Sequence, residues 1–305
     1  MKSLRQKPFF QYFFKERLGR IYAWLCAALI IGLTLTIILF ISLKGLAIFT
    51  GKQPLSLLHF LFSPDWQPDA TAAEGGPHFG VLAFMLGSIA VSLLAVITCL
   101  PLAISAAILI AVIAPRWGEN FFRPALELFS GIPSVVYGWV GLSLLVPFIR
   151  NHLGGLGFSL LAGTLVLALM ILPTVTSLAT DALQALPPAY LEASSALGAT
   201  RWQTIRRVLL PAAKTRIGIA TTLGLARAFG EALAVQMVIG NTVRIPNSLL
   251  DSATTLTSVI TMDMGNTVMG SPWNNALWTM AFLLLAITFC FILLIKRMGA
   301  SDPAC

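Results

Sequence analysis

Along the chain, long apolar stretches alternate with shorter polar ones, and six of the apolar stretches are long enough to cross a bilayer. They occupy residues 21–48, 80–113, 121–148, 158–180, 215–240 and 275–295, where a spanning helix needs about 20 residues at ~1.5 Å of rise each. The pattern predicts an all-α membrane protein with six transmembrane helices. Residues 1–20 then form a cytoplasmic or interfacial segment and residues 21–48 the first helix. Residues 80–296 form a core of five further helices that includes an inner loop at 186–211. Composition agrees: the 305 residues are 57% hydrophobic and 10% charged, whereas a soluble domain carries roughly a quarter charged residues.

Charge sets the orientation. With the N-terminus inside, fifteen of the 20 Lys and Arg fall on the cytoplasmic side, clustered at residues 2–20, 116–123, 201–216 and 296–297. Only Lys52, Arg150 and Arg244 fall in outer loops, Lys44 sits near the outer end of the first span, and Arg227 alone lies deep in a span. This bias predicts both termini inside, and the net charge of +8 reflects it rather than any affinity for nucleic acid. The first apolar run is too long for a signal-peptide core and lacks a small-residue cleavage site, so it is expected to remain in the mature protein. Ahead of it, "PFFQYFFKERLGR" interleaves Phe9, Phe10, Tyr12, Phe13 and Phe14 with Lys15, Arg17 and Arg20. That mixture suits a short helix at the inner headgroup layer, the alternative being an unstructured basic tail.

Catalytic chemistry is not written into the chain. Cys26, Cys99 and Cys290 lie in apolar spans and Cys305 ends the chain, and His59, His78 and His152 lack the spacing of metal ligands. "GLAIFTGK" superficially resembles a phosphate-binding loop, but five residues separate its glycines and Gln53 follows Lys52 where a hydroxyl is required. No metal, cofactor or catalytic residue is expected, and any ATP is hydrolysed by another chain.

The most informative inner loop reads "LPPAYLEASSALGATRWQTIRRVLLP". Pro188 can open a helix, Gly198 can close it in a left-handed cap, and Thr200 with Gln203 forms a capping box for a second helix, which Pro211 is expected to end. Two short helices hinged at a glycine could serve as a DNA-reading pair, a bare amphipathic hairpin or a docking element. Tethering between two spans disfavours the first, and docking to a cytoplasmic motor fits best.

Arg227 and Glu231 pose a separate question. Arg227 lies ~16 Å along the predicted helix from Arg216, close to the bilayer midplane, where a charge costs about 2.5–3.5 kcal/mol on insertion scales. Neither residue can face lipid. On one continuous helix their spacing puts both on one face, one turn apart, beside a seam of small residues at Ala220, Gly224, Ala228 and Ala232 that admits a second helix. Two readings stand: an ion pair that clamps the bundle, or an anion path in which Arg227 attracts an oxyanion and Glu231 orients the guanidinium. Pro133 and Pro173 each remove a backbone donor; Ser134, Thr174 and Thr176 can supply local substitutes within a plain kink, the favoured reading, and half-helix ends offering N–H groups to an anion are the alternative. The outer segments at 50–79 and 241–274 are too long for simple turns, and "NSLLDSATTLTSVITMDMG" in the second reads as helical.

Glu192, Ala193, Gly198, Leu210 and Pro211 together resemble the EAA motif of bacterial ABC-importer permeases: Glu-Ala-Ala, three residues, Gly, nine residues, Ile, any residue, Leu-Pro. Ser194 stands at the motif's third position and Val208 in place of its isoleucine, with the spacing intact. The resemblance implies the type I (MetI-like) permease fold in a bacterial inner membrane. It also implies that Glu192, Ala193, Gly198, Leu210 and Pro211 couple the chain to an ATP-binding subunit, with Arg201, Arg206 and Arg207 meeting either that subunit or anionic lipid. "SGIPSVVYGWVGL" and "LARAFGEALAVQMVIGNT" are similar to the PstC family of phosphate-importer permeases. That similarity implies a PstA-like second permease, two PstB-like ATP-binding subunits, a PstS-like phosphate-binding protein and a transport role for Arg227 and Glu231. Sulfate or molybdate as the anion, and an ion-coupled secondary transporter, are the alternatives, and the EAA-like loop argues against the latter.

Cysteine labels at positions 60, 152 and 260 are expected to react from outside, and labels at 118, 200 and 300 only after permeabilisation. A label at position 200 that reacts in intact cells would overturn the orientation.

Overall fold

The computed structural model describes residues 9–50, 55–71 and 76–300. Helix α1 runs unbroken from Phe9 to Thr50. From Phe9 onward the aromatic-basic segment therefore continues the first span and is not a separate helix, and residues 1–8 lie outside the described residues. Most side chains along the first span are exposed, as lipid contact requires. The helix docks near its C-terminal end, where Gly45 lets Thr279 Oγ1 donate to its carbonyl at 2.7 Å and Phe40 meets Trp278 edge to face at 5.2 Å.

A short helix α2 (Leu57–Phe62) and a two-residue antiparallel pair, Trp66–Gln67 with His78–Phe79, fold the first outer segment. Phe60, Phe79, Val81 and Phe84 anchor it in one apolar cluster. Helix α3 (Leu82–Ile108) follows, and α4 (Pro115–Trp117) and α5 (Arg123–Gly131) lead into α6 (Ser134–Val140) and α7 (Val146–His152). Helix α8 (Leu160–Gln184) crosses back to the hairpin of α9 (Ala189–Ala196) and α10 (Arg201–Thr204). Then come α11 (Leu210–Gly230), α12 (Leu233–Ile239), α13 (Leu256–Asp263) and α14 (Pro272–Ala300).

Four helical stretches are long and apolar enough to cross a membrane alone: Arg17–Thr50, Leu82–Ile113, Leu160–Gln184 and Pro272–Gly299. The other two expected spans are broken. Pro115–Gly131 and Ser134–His152 meet at 90°, and Arg201–Gly230 and Leu233–Ile239 at 66°, so six spans result if each bent pair counts as one. At the first break Pro133 removes a donor and forces the residue before it out of the helical region, and Ile132 is accordingly extended, at φ −68° and ψ 128°. The expected plain kink at Pro133 is thus a full break. At Pro173 the helix continues without interruption.

Four other prolines are accommodated by widened turns. The N–H groups of Ala114, Arg123, Val146 and Leu210 each bond a carbonyl five residues back, at Leu109, Gly118, Gly141 and Ile205. A proline follows each of these residues directly. A proline ring crowds the carbonyl four residues back and cannot bond it, and a π turn relieves both problems by adding a residue to the turn. Pro211 therefore does not end the second hairpin helix. It sits in the first turn of α11, so that α10 passes through a π turn straight into the fifth span.

The core lies where α3, α8 and α11 pack, with Val91, Ala95, Cys99, Leu167, Ile171, Val175 and Ala228 buried together. In lipid, helices gain little from apolar burial and depend on close backbone approach. The seam supplies it: Ala220, Gly224 and Ala228 are buried, and a Cβ at Gly224 would fall 2.5 Å from Val175 Cγ2 on α8. Ala232, past the break, is only partly buried.

The segment 241–274 is helical over Leu256–Asp263 and in a 3-10 turn at Met264–Asn266, a shorter span than the sequence implied. Its stretch 253–259 turns inward, while much of the rest stays at the surface. Thr254, Thr255, Leu256 and Ser258 are buried, Leu256 N–H donates to Ser88 Oγ at 2.9 Å, and Ala253 N–H to the carbonyl of Ile239 at 3.1 Å. Gly87 of α3 is the seat of this plug, because a Cβ there would overlap the Thr254 carbonyl.

Gly87→Ala is therefore expected to lower stability by about 1–3 kcal/mol through overpacking against backbone. Gly19→Ala, in open space within α1, is expected to be neutral or mildly stabilising. Melting midpoints of the two purified variants provide the comparison, and equal midpoints would contradict the seating of the plug on Gly87.

Candidate functional site

Two features stand apart from the packed core. The first is the hairpin. Gly198 adopts φ +74°, and its N–H donates to the Ser195 carbonyl at 3.0 Å while Ala199 N–H reaches the Ser194 carbonyl at 3.2 Å. These two bonds close α9 in a Schellman cap that glycine favours. The Thr200–Gln203 capping box forms as expected, with Thr200 N–H donating to Gln203 Oε1 at 2.8 Å and Gln203 N–H to Thr200 Oγ1 at 3.3 Å. Pro188 stands one residue ahead of α9. Ser194, where the motif has alanine, is buried and hydrogen-bonds Thr204 at 2.8 Å, tying the two arms together.

What the hairpin presents outward is sticky. Leu197 is 88% and Trp202 63% exposed, beside exposed Tyr190 and Leu191. Glu192, Arg201, Arg206 and Arg207 are also exposed. An open groove of about 410 Å³ runs between the arms, lined by Tyr190, Ala193, Leu197, Gly198, Arg207 and Val208 among others. Apolar anchors ringed by charge are the makeup of a protein-docking surface. Leu210 and Pro211 lie behind the groove, at the start of α11.

The second feature is Arg227. Its side chain is exposed on the isolated chain, and its Nη1 donates to Thr174 Oγ1 of α8 at 2.8 Å. Tyr137 of α6 lies close enough to feel its charge. The Tyr137 hydroxyl donates to the Phe129 carbonyl at 2.7 Å, pinning the two halves of the broken third span to each other. Three elements that are distant in sequence thus converge: α6, α8 and α11.

Glu231 is not the partner of Arg227 that helical spacing implied. Helix α11 ends at Gly230, and Glu231 is extended at φ −77° and ψ 126°, so the two residues do not share a helical face. Its Oε1 accepts from Ala234 N–H at 3.3 Å, and its carbonyl accepts from Thr257 Oγ1 at 2.8 Å. Glu231 caps α12 and fastens it to the plug. An ion pair forms elsewhere, between Arg123 and Asp181 at 3.2 Å, joining the start of α5 to the end of α8. Outside the spans, burial and then the Asp69 carboxylate raise the Asp263 carboxyl above its ordinary value, a sign that the segment after α1 and the segment 241–274 lie close together.

Sequence reasoning gave Thr174 a local role and passed over Tyr137, because residues separated by 53 and by 90 positions carry no periodic signal of contact. The pairing of Ser194 with Thr204 was equally invisible.

Residues 100–300 match the family described as binding-protein-dependent transport system inner membrane component. The probable ABC transporter permease protein YqgH of Bacillus subtilis is 50% identical over 285 residues, covering 92% of this chain and 90% of that protein. The phosphate transport system permease protein PstC of Mesorhizobium japonicum is 35% identical over 289 residues, covering 86% of each. Among solved structures, an inward-facing MetNI methionine ABC transporter chain aligns with a TM-score of 0.53 at 21% identity, over 70% of this chain and 93% of that one. The last comparison establishes the shared fold.

The capping geometry of Glu231 makes its own prediction. Glu231→Gln keeps an acceptor for Ala234 N–H and should leave the melting midpoint nearly unchanged, whereas Glu231→Ala should cost about 1 kcal/mol. The exchange of Arg227→Glu with Glu231→Arg should fail for a structural reason, since arginine accepts no hydrogen bond. A melting midpoint for Glu231→Ala equal to that of the unaltered protein would refute the capping role.

Proposed function

Because the chain belongs to the binding-protein-dependent transport system inner membrane components, we propose that it is a permease subunit of an ATP-driven importer whose cargo is inorganic phosphate. The PstC relatives and the chemistry of Arg227 support phosphate. The observation that carries the proposal is the exposure of that arginine. A guanidinium in the last turn of α11, inside the broken fifth span and with one neutral hydrogen-bond partner, cannot be left against lipid. It must face water or a second protein, and both are present where two permease subunits enclose a path. A planar fork of N–H donors suits an oxyanion better than an ammonium does.

On this reading, the chain lines half of the path and a PstA-like permease lines the other half. A PstS-like protein delivers phosphate from outside. Two PstB-like subunits hydrolyse ATP, and one seats the hairpin, with Glu192, Ala193 and Gly198 at the contact and Leu210 and Pro211 joining it to the fifth span. The continuity of α10 with α11 supports this coupling, because a push on the hairpin is transmitted along one rod to Arg227. Glu231 acts on the path indirectly, by holding α12.

Uptake of labelled phosphate by the assembled complex tests the proposal. Arg227→Gln should abolish uptake at normal complex yield, and Arg227→Lys should restore only part of it. Gly198→Trp should leave the spans inserted but block assembly with the ATPase or transport. Normal uptake by Arg227→Gln, or preference for sulfate or molybdate over phosphate, would overturn the proposal.

A further inference from the structure

We infer that Thr174 is the positioning residue that sets the Arg227 guanidinium in the path, and that its hydroxyl is itself a donor to the crossing oxyanion; this rests on the proposal that Arg227 serves that path. The contact is built on tight packing. Gly224, three residues before Arg227, admits Val175, the neighbour of Thr174, so closely that a Cβ at Gly224 would fall 2.5 Å from it. The separation of α8 and α11 here is therefore set by the Val175 side chain resting on the bare backbone of Gly224. The 2.8 Å bond from Arg227 Nη1 to Thr174 Oγ1 stands on that fixed spacing.

Thr174 also departs from the commonest hydroxyl pattern in the spans, although Ser92, Thr164 and Thr176 do not follow that pattern either. Thr34, Thr98, Ser105, Thr180, Thr221 and Thr288 each donate to the carbonyl four residues back, the usual way to satisfy such a group in a helix. Thr174 instead accepts from the guanidinium. Among the described residues no acceptor for its own proton lies in hydrogen-bond range, and Arg227 has no carboxylate partner. What faces outward is then a set of donors without acceptors: the open N–H groups of Arg227 and the O–H of Thr174. A tetrahedral oxyanion is the complementary ligand, since its oxygens accept from several directions.

The hydroxyl gives Arg227 what charge alone does not, a fixed rotamer. A guanidinium on a flexible stem that samples many positions presents its fork to the anion only part of the time. One neutral bond holds it without cancelling its charge, as a carboxylate would. Thr174→Val keeps the shape and removes both the acceptor and the donor. Its uptake rate at saturating phosphate, per assembled complex, should fall about tenfold, the effect of losing one hydrogen bond to a charged group. Thr174→Ser should recover to within about twofold. In the Arg227→Lys background Thr174→Val should cost clearly less than tenfold, because the fork it orients is gone.

A purely structural threonine would instead lower complex yield and melting midpoint, and would cost the same in either background. Should Thr174→Val not assemble, Thr174→Ala carries the same expectation. Normal uptake by the threonine variants alongside a dead Arg227→Gln would overturn the inference and leave the path standing. Additive effects in the double variant, or failure of serine to rescue, would also overturn it. Normal uptake by Arg227→Gln would remove the path itself.

Discussion

Hydrocarbon offers no partner to an unpaired N–H, carbonyl or charge, and this constraint organises the whole molecule. A chain with only 10% charged residues still breaks two of its spans, and each break is answered by other parts of the protein. The third span parts at Ile132 and Pro133, and the Tyr137 hydroxyl takes up the Phe129 carbonyl. The fifth parts after Gly230, where Glu231 caps the next helix and Thr257 takes up the Glu231 carbonyl. The inward-turned stretch 253–259 is rich in threonine and serine for the same reason. Buried irregular backbone requires short hydroxyl side chains that can donate and accept at close range.

Pro115, Pro124, Pro147 and Pro211 obey the same constraint by a second route. Placed just after a π turn, each loses its N–H where the hydrogen-bond ladder is already changing register. That solution keeps α10 and α11 one mechanical piece, through Pro211, where a simple reading of proline would have separated the hairpin from the span. On the proposed function the rigid connection would matter for coupling, because a short helix joined by a flexible turn would dissipate a displacement at its tip.

Two surfaces make sense only in an assembly. The hairpin exposes Leu197 and Trp202 beside arginines, and Arg227 faces outward from the last turn of α11 with a single neutral partner. The isolated chain therefore leaves apolar surface to water at the hairpin and positive charge to lipid inside a broken span. Both costs vanish when partners cover them, which is the physical signature of a subunit rather than a self-sufficient transporter.

Apolar length alone determined that this chain crosses the membrane up to six times. Local backbone rules determined the hairpin, where the left-handed Gly198 and the Thr200–Gln203 box follow from neighbours in sequence. The seam of Ala220, Gly224 and Ala228 was legible too, because its period is that of the helix. The Arg227–Glu231 pair was misread on that same period, since counting by four assumes a helix that continues. Only the tertiary structure decided that it stops at Gly230, because the groups that end it, Thr257 and the Ala234 N–H, come from a plug and a half-helix whose positions depend on α3 and Gly87. The partner of Arg227 was likewise decided by packing: Thr174 lies 53 residues away, and only the close approach of two helices at Gly224 brings it within reach.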